Sequence, residues 1–285
     1  MVGVAMLVAV SVLWSFAGVA VKTAGMHPLG FAFYRCLFAA LPMAVFAGLG
    51  VGRRPAARWM VLSVCVYTAV VTCFVASMSL STAAAGIFLQ YSAPAFCALL
   101  SWIFLRRRIG RRTFVALVVA SAGIAVMVAF RPATQGVAGP ALGLVSGVAF
   151  GALPLILAQV DRASSGRANP FLVVLFNNLG AVVILLPLCI ATGSLGVQTR
   201  QLLIVAATGM FQLALPYVLF QLALRRVNVV DASLLILLEP VLNPLWVVLF
   251  VGERPDVATV IGGVAILAAF VVEVTKGQES DGVAE

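Results

Sequence analysis

Two charged side chains, Arg35 and Glu239, stand inside long apolar runs of this chain. A charge at the centre of a bilayer costs about 2.5–3.5 kcal/mol on insertion scales, so each must face a protein interior or a wet cavity. A guanidinium in that position offers a planar fork of donors that matches a carboxylate or a phosphate. Its plainer role is a structural ion pair or an interfacial anchor. The carboxyl of Glu239 can sense a proton or meet a cationic group of a solute; its plainer role is a structural hydrogen bond beside Pro240. Polar and aromatic residues also fall in mid-run: Trp14, Tyr67, Gln90, Tyr91, Asn177, Asn178, Gln212, Tyr217 and Asn243. Buried amides and hydroxyls are costly unless paired, so these point inward, either to line a solute site or to join helices. Arg35, Glu239, Trp14, Gln90, Tyr91, Asn177, Gln212 and Tyr217 form the candidate substrate or coupling set. Pro94 and Pro240 each remove a backbone donor and crowd the carbonyl four residues earlier, that of Gln90 or Ile236. Freed carbonyls in lipid must face protein or water, so the two prolines mark helix breaks in the walls of a cavity.

The same inventory excludes other chemistry. Intramembrane hydrolysis or group transfer needs paired carboxylates, a His cluster or a Ser–His pair. The chain has one histidine, His27, in a loop before Pro28, and one mid-run acid. Cys36, Cys65, Cys73, Cys97 and Cys189 lie in apolar runs without the spacing of a metal or redox motif. No phosphate-cradling loop of the Walker type occurs, so ATP is not a direct energy source. Neither an enzyme nor a metal or other cofactor is expected.

The elements that position these residues follow from composition. Of 285 residues, 63% are hydrophobic and 9% charged, and the mean hydropathy is +1.16. So few charges cannot coat a water-facing domain of this size, and a lipid bilayer is the partner left. Runs long enough to span it are Val2–Val21, Leu29–Leu49, Trp59–Ser79, Ala83–Leu105, Thr113–Phe130, Val137–Ala158, Pro170–Thr192, Gln201–Leu224, Val230–Val251 and Val257–Thr275. The predicted fold is an all-α polytopic membrane protein of about ten transmembrane helices. A polar tail, 276–285, is expected to be disordered. No basic residue precedes Lys22, so the first run is read as a span rather than a secretory signal.

The net charge of +9 is distributed as topology charges are. With the N-terminus inside, thirteen Lys and Arg fall in cytoplasmic breaks, among them Arg53, Arg54, Arg58 and the run Arg106, Arg107, Arg108, Arg111, Arg112. Four, Lys22, Arg131, Arg200 and Arg254, fall on the other side. Both termini are therefore expected in the cytoplasm, at the cytoplasmic membrane. No basic stripe with interleaved aromatics occurs, so nucleic acid is not an expected partner. Asp231 reads as an N-cap and Glu253 as an acid paired within its own loop, beside Arg254.

The two halves resemble each other. HPLGFAFYR (His27–Arg35) opens the second span and NPFLVVLFN (Asn169–Asn177) the seventh. In each, a proline is followed seven positions later by a polar residue, Arg35 or Asn177. LQYSAPAFCALLSWIFLRRRI (Leu89–Ile109) parallels LILLEPVLNPLWVVLFVGERP (Leu235–Pro255), with Pro94 matching Pro240. Because five is odd, two five-span repeats lie in the membrane with opposite topology. Inverted repeats place a binding site at their interface near the midplane and provide two interconvertible openings.

At these segments the sequence resembles the EamA family of the drug/metabolite transporter superfamily. The strongest likeness is FQLALRRVNVVDASLLILLEPVLNPLWVVLFVGERP (Phe220–Pro255), with its basic turn, central proline and terminal Gly252–Glu253; Arg35 also fits the family pattern. One departure is Arg107 in the first half where the second has Glu253. The resemblance implies a first repeat over 1–134, a second over 135–275, and a ten-helix bundle around a central cavity. It further implies export or exchange of amino acids, related metabolites or drugs. The expectation is a secondary transporter, in the exporting direction, of small metabolites such as amino acids or related compounds. A lipid flippase or channel-like protein of the same fold is the alternative. Oligomeric state is not legible.

Overall fold

The computed structural model describes residues 2–49, 52–106, 110–130, 136–223, 226–227 and 235–281. Arg107, Arg108, Arg131, Arg225 and Asp231, which the sequence reading assigns to topology, repeat matching or capping, lie outside them. Among the described residues, seven helical segments are long and apolar enough to cross a membrane, and three shorter apolar helices accompany them. The first span is α1 (Val2–Ser15) and α2 (Ala17–Ala24), and the second is α3 (Pro28–Leu49). The third is α4 (Ala57–Leu80), the fourth α5 (Ala83–Gln90) with α6 (Ala93–Leu105), and the fifth α7 (Arg111–Ala129). Then come α8 (Ala138–Ala163) and α9 (Pro170–Ala191). The eighth span is α10 (Thr199–Ala207), a π-helical segment Thr208–Ala214 and α11 (Leu215–Ala223). The ninth and tenth are α12 (Leu238–Val251) and α13 (Val257–Asp281).

Local sequence explains where these helices start and stop. Pro28 and Pro170 occupy first helical positions, where a missing N–H costs nothing. Asn169 Oδ1 accepts from Phe171 N at 3.0 Å, and Thr82 Oγ1 accepts from Ala85 N at 3.1 Å, capping α9 and α5. Gly252, at φ +78°, ends α12 in the left-handed conformation that glycine adopts without strain. The last helix runs to Asp281, so the tail read as disordered begins as helix. Lys276, Gln278 and Glu279 are good helix formers, and extending an existing helix needs no new nucleus.

The surface is the reverse of a water-soluble protein's, while the interior is apolar with polar side chains set into it. Large apolar side chains such as Phe104 (75% exposed) and Val257 (74%) face outward, while Ser11, Arg35, Ser63, Gln90, Asn178, Gln212, Glu239 and Asn243 are buried. Outward apolar groups suit lipid, and inward polar groups must find partners there.

Helix pairing crosses between the halves of the chain. The most extensive interfaces join α4 with α8, α7 with α13, and α3 with α9; α1 packs on α11 and α12. Gly123 and Gly262 let α7 and α13 touch at the backbone: a Cβ on Gly123 would stand 2.6 Å from the Gly262 carbonyl oxygen.

Among the described residues, four spans carry an irregularity. The first is interrupted at Phe16, the fourth at Tyr91–Ser92 and the ninth at Leu237, and the eighth carries the π-helical segment. Pro94 and Pro240 sit just after two of these interruptions, in the first turns of α6 and α12. The proline by itself does not break the chain, because Pro42, Pro154 and Pro187 lie in continuous helices.

Candidate functional site

The second span carries Arg35 two turns in from Pro28, on the face that packs against the π-helical segment. Arg35 is 5% exposed and its Nη2 donates to Gln212 Oε1 at 2.7 Å. Gln212 belongs to the π-helical segment, and its Nε2 donates to the Trp14 carbonyl at 3.0 Å. Thus the amide orients the guanidinium and is itself held by the first span. A π-bulge widens the helix by one residue per turn and re-aims a side chain, and such bulges gather at functional sites. Here it aims Gln212 at Arg35. The Arg35 Nε is buried with no hydrogen-bond partner, a charged donor left free at the centre of the bundle.

Opposite lies the pair of broken helices. Tyr91, at the interruption of the fourth span, donates its hydroxyl to Glu239 Oε2 at 2.8 Å and approaches the Ile236 carbonyl at 3.4 Å. Glu239 is in the first turn of α12 and 8% exposed. A helix N-terminus presents unpaired N–H groups and a positive dipole end, which suits a carboxylate. Ser11 Oγ donates to the Leu235 carbonyl at 3.0 Å, so the first span satisfies a backbone group near the ninth span's interruption. Arg35 lies within electrostatic reach of Tyr217 and Glu239 without touching the acid. Trp14 meets Tyr217 edge-to-face at 5.4 Å and Phe220 at 5.9 Å, forming an aromatic wall along the first and eighth spans.

The structure therefore gathers Arg35, Gln212, Trp14, Tyr217, Tyr91 and Glu239 in the interior of one bundle, linked through the first, second, fourth, eighth and ninth spans. Gln90 and Asn177 lie elsewhere. Gln90 Nε2 donates to Ser146 Oγ at 3.0 Å, in the seam of α5 with α8. Asn177 Oδ1 accepts from Ser63 Oγ at 3.0 Å, and Asn178 Oδ1 accepts from Tyr67 Oη at 3.1 Å, joining α4 to α9. Tyr67 is nevertheless close enough to feel the Arg35 charge, so it borders the same centre.

At the end of the bundle opposite the N-terminus, Glu253 does not pair within its own loop. Its Oε2 lies 2.7 Å from Lys22 Nζ, the one ion pair among the described residues, and its Oε1 accepts from Ala83 N at 2.7 Å. Lys22 Nζ also donates to the Ser81 carbonyl at 2.7 Å. These bonds tie α2, the α4–α5 turn and the α12–α13 turn together. The carboxylate finds a free helix N-terminus and an amine across the bundle, which beats a neighbouring Arg254 free to reach solvent. That Lys22 is the sole Lys or Arg ahead of Arg35 is the signal in the sequence.

The comparisons with known proteins agree with this architecture. A solved crystal structure shares the fold, with a TM-score of 0.64 over 95% of this chain and 96% of that one, at 20% identity. A protein of Archaeoglobus fulgidus described as an uncharacterized transporter is 29% identical over 271 residues, 95% of each chain. A ten-helix membrane bundle with broken central spans is the class that fold and site define. Within it, the model of the EamA-like transporter family matches residues 1–129 and 137–275, and the chain belongs to that family, part of the drug/metabolite transporter superfamily. It is a multi-pass membrane transporter.

Proposed function

We propose that the chain is a secondary transporter that exports small zwitterionic metabolites, amino acids or close relatives, across the cytoplasmic membrane by alternating access. One observation carries this reading: Arg35, steered by Gln212 and holding an unpaired Nε, shares a buried centre with the Glu239 carboxyl, and no direct ion pair joins them. Had the two been structural partners, each would satisfy the other. Left apart, they offer a donor fork for a solute carboxylate and an acceptor for a solute ammonium. Tyr91 holds the Glu239 oxygen until an ammonium displaces it.

The arrangement of spans supports rocking between two inverted repeats, 1–134 and 135–275. If the first span corresponds to the sixth and so on, the α3–α9, α7–α13 and fourth–ninth pairs map onto themselves, and α4–α8 maps onto the eighth–first pair. That pairing fits a two-fold relation between the halves, and the odd number of spans in each half argues for an axis in the membrane plane. The charge bias supports cytoplasmic termini, which puts Lys22 and Glu253 at the outer face. There α2 packs on α4, α5, α10 and α12, and the Lys22–Glu253 pair ties it to the α12–α13 turn, so the path beside α12 is closed at that end.

Purified protein in proteoliposomes, loaded with a mixture of labelled L-amino acids and given no ATP, tests the reading. Release that exceeds empty liposomes and is lost in Arg35→Ala supports it. Equal release in both, with reporter fusions placing the second half the same way up as the first, contradicts it.

A further inference from the structure

Asn243 has no part in the centre just described. It is 0% exposed, one turn beyond Glu239 on α12, and neither Oδ1 nor Nδ2 has a hydrogen-bond partner. Buried amides are nearly always paired, because an orphan keeps the full cost of leaving water. No solute fits beside it in this conformer. A Cβ on Gly18 of α2 would stand 2.6 Å from Asn243 Oδ1, 2.8 Å from Val247 and 3.0 Å from Ala83 at the start of α5. The amide is shielded because α2 and α5 are pressed against α12, and the bonds that hold them lie just past the end of that helix, in the α12–α13 turn, where Glu253 takes Lys22 Nζ and Ala83 N. Glu239, Asn243 and Glu253 thus mark one line from the centre to the outer end.

We infer that Asn243 is a solute-contacting residue of the outer half of the path, reached only when the Lys22–Glu253 pair parts and α2 withdraws from α12. Its Nδ2 then meets a solute carboxylate and its Oδ1 a solute ammonium, on the way from the Arg35–Glu239 centre. The inference rests on the transporter reading and adds to it a second polar station. The orphan amide disfavours the closed outer end, and the Lys22–Glu253 cluster offsets that, so the closure is poised to open.

Two measurements test this. With all five cysteines replaced, Asn243→Cys is exposed to a membrane-impermeant thiol reagent from the Lys22 side. Slow modification that becomes at least about tenfold faster when Lys22→Gln is added is the expected result, since thiol reactivity follows exposure. Equal rates with and without Lys22→Gln overturn the proposal. In the otherwise native chain, Asn243→Leu, similar in shape and free of orphan groups, raises the melting temperature by about 2 °C. It also cuts release of labelled L-leucine from proteoliposomes at least about tenfold if a polar contact is lost on the path. A lower melting temperature, or unchanged release alongside an active wild type, overturns it. An inactive wild type with latch-dependent labelling faults the choice of transported solute and leaves the outer path standing.

Discussion

The fourth and ninth spans use one backbone device for two different ends. Both are interrupted, and both restart with a proline in the first turn, Pro94 or Pro240. The side chains at the two breaks are not alike. The matched sequences put Ala93 where the ninth span has Glu239, and Leu237 where the fourth has Tyr91. The phenol of one break then hydrogen-bonds the acid of the other. The second and seventh spans differ in the same way. Arg35 enters the centre and binds Gln212, whereas the matching Asn177 is spent on Ser63 between α4 and α9. On the proposed reading, a shared frame supplies the two breaks, and departures from the repeat supply the solute contacts. Each half carries one of the two charges, Arg35 in the first and Glu239 in the second, and the matching position in the other half keeps an apolar or amide residue that serves as scaffold.

Substitutions can break that contrast. Arg35→Ala should remove transport almost entirely, since losing one partner of a buried charged hydrogen bond costs about 2–5 kcal/mol, roughly 30-fold or more in affinity. Arg35→Lys, which keeps the charge and loses the fork, should recover only part of the solute affinity measured by competition. Glu239→Gln retains size and hydrogen bonding but not charge. It should lower transport at least about tenfold, ~1.4 kcal/mol, and flatten any dependence on pH. Normal transport with an unchanged pH profile in that protein assigns Glu239 to structure. Tyr91→Phe leaves the acid without its phenolic donor and should alter affinity only several-fold, about 1 kcal/mol. The smallest functional effect belongs to the scaffold side. Ser63→Ala should cost about 1 kcal/mol of stability through its lost bond to Asn177 and leave solute affinity unchanged. If Ser63→Ala weakens affinity as much as Tyr91→Phe does, the division between centre and scaffold fails.

Much of this is legible in the sequence alone. Ten spans were legible because bilayer thickness sets run length, and the breaks because Pro94 and Pro240 stand beside polar groups that lipid cannot satisfy. Arg35 and Glu239 announced themselves by cost alone. Their grouping with Gln212 was less accessible, since a π-helical segment shifts the phase of the eighth span and leaves no composition signal. Gln90 and Asn177 met the same rule as the centre residues and were placed in seams instead. A rule about burial says only that an amide needs a partner, and Ser146 and Ser63 are such partners. The Lys22–Glu253 pair spans 231 positions of sequence, and only the fold brings it together. Asn243 was named for its depth, but its lack of partners is a property of packing against Gly18.

The division of labour between Arg35 and Glu239 is tested most directly by competition in proteoliposomes. Labelled L-leucine would compete with unlabelled leucine, with its decarboxylated amine and with its deaminated acid. In the native protein the zwitterion should compete best. Arg35→Ala should erase the advantage of leucine over the amine, and Glu239→Gln its advantage over the acid. If both substitutions weaken all three competitors by the same factor, the two charges do not read opposite ends of one solute.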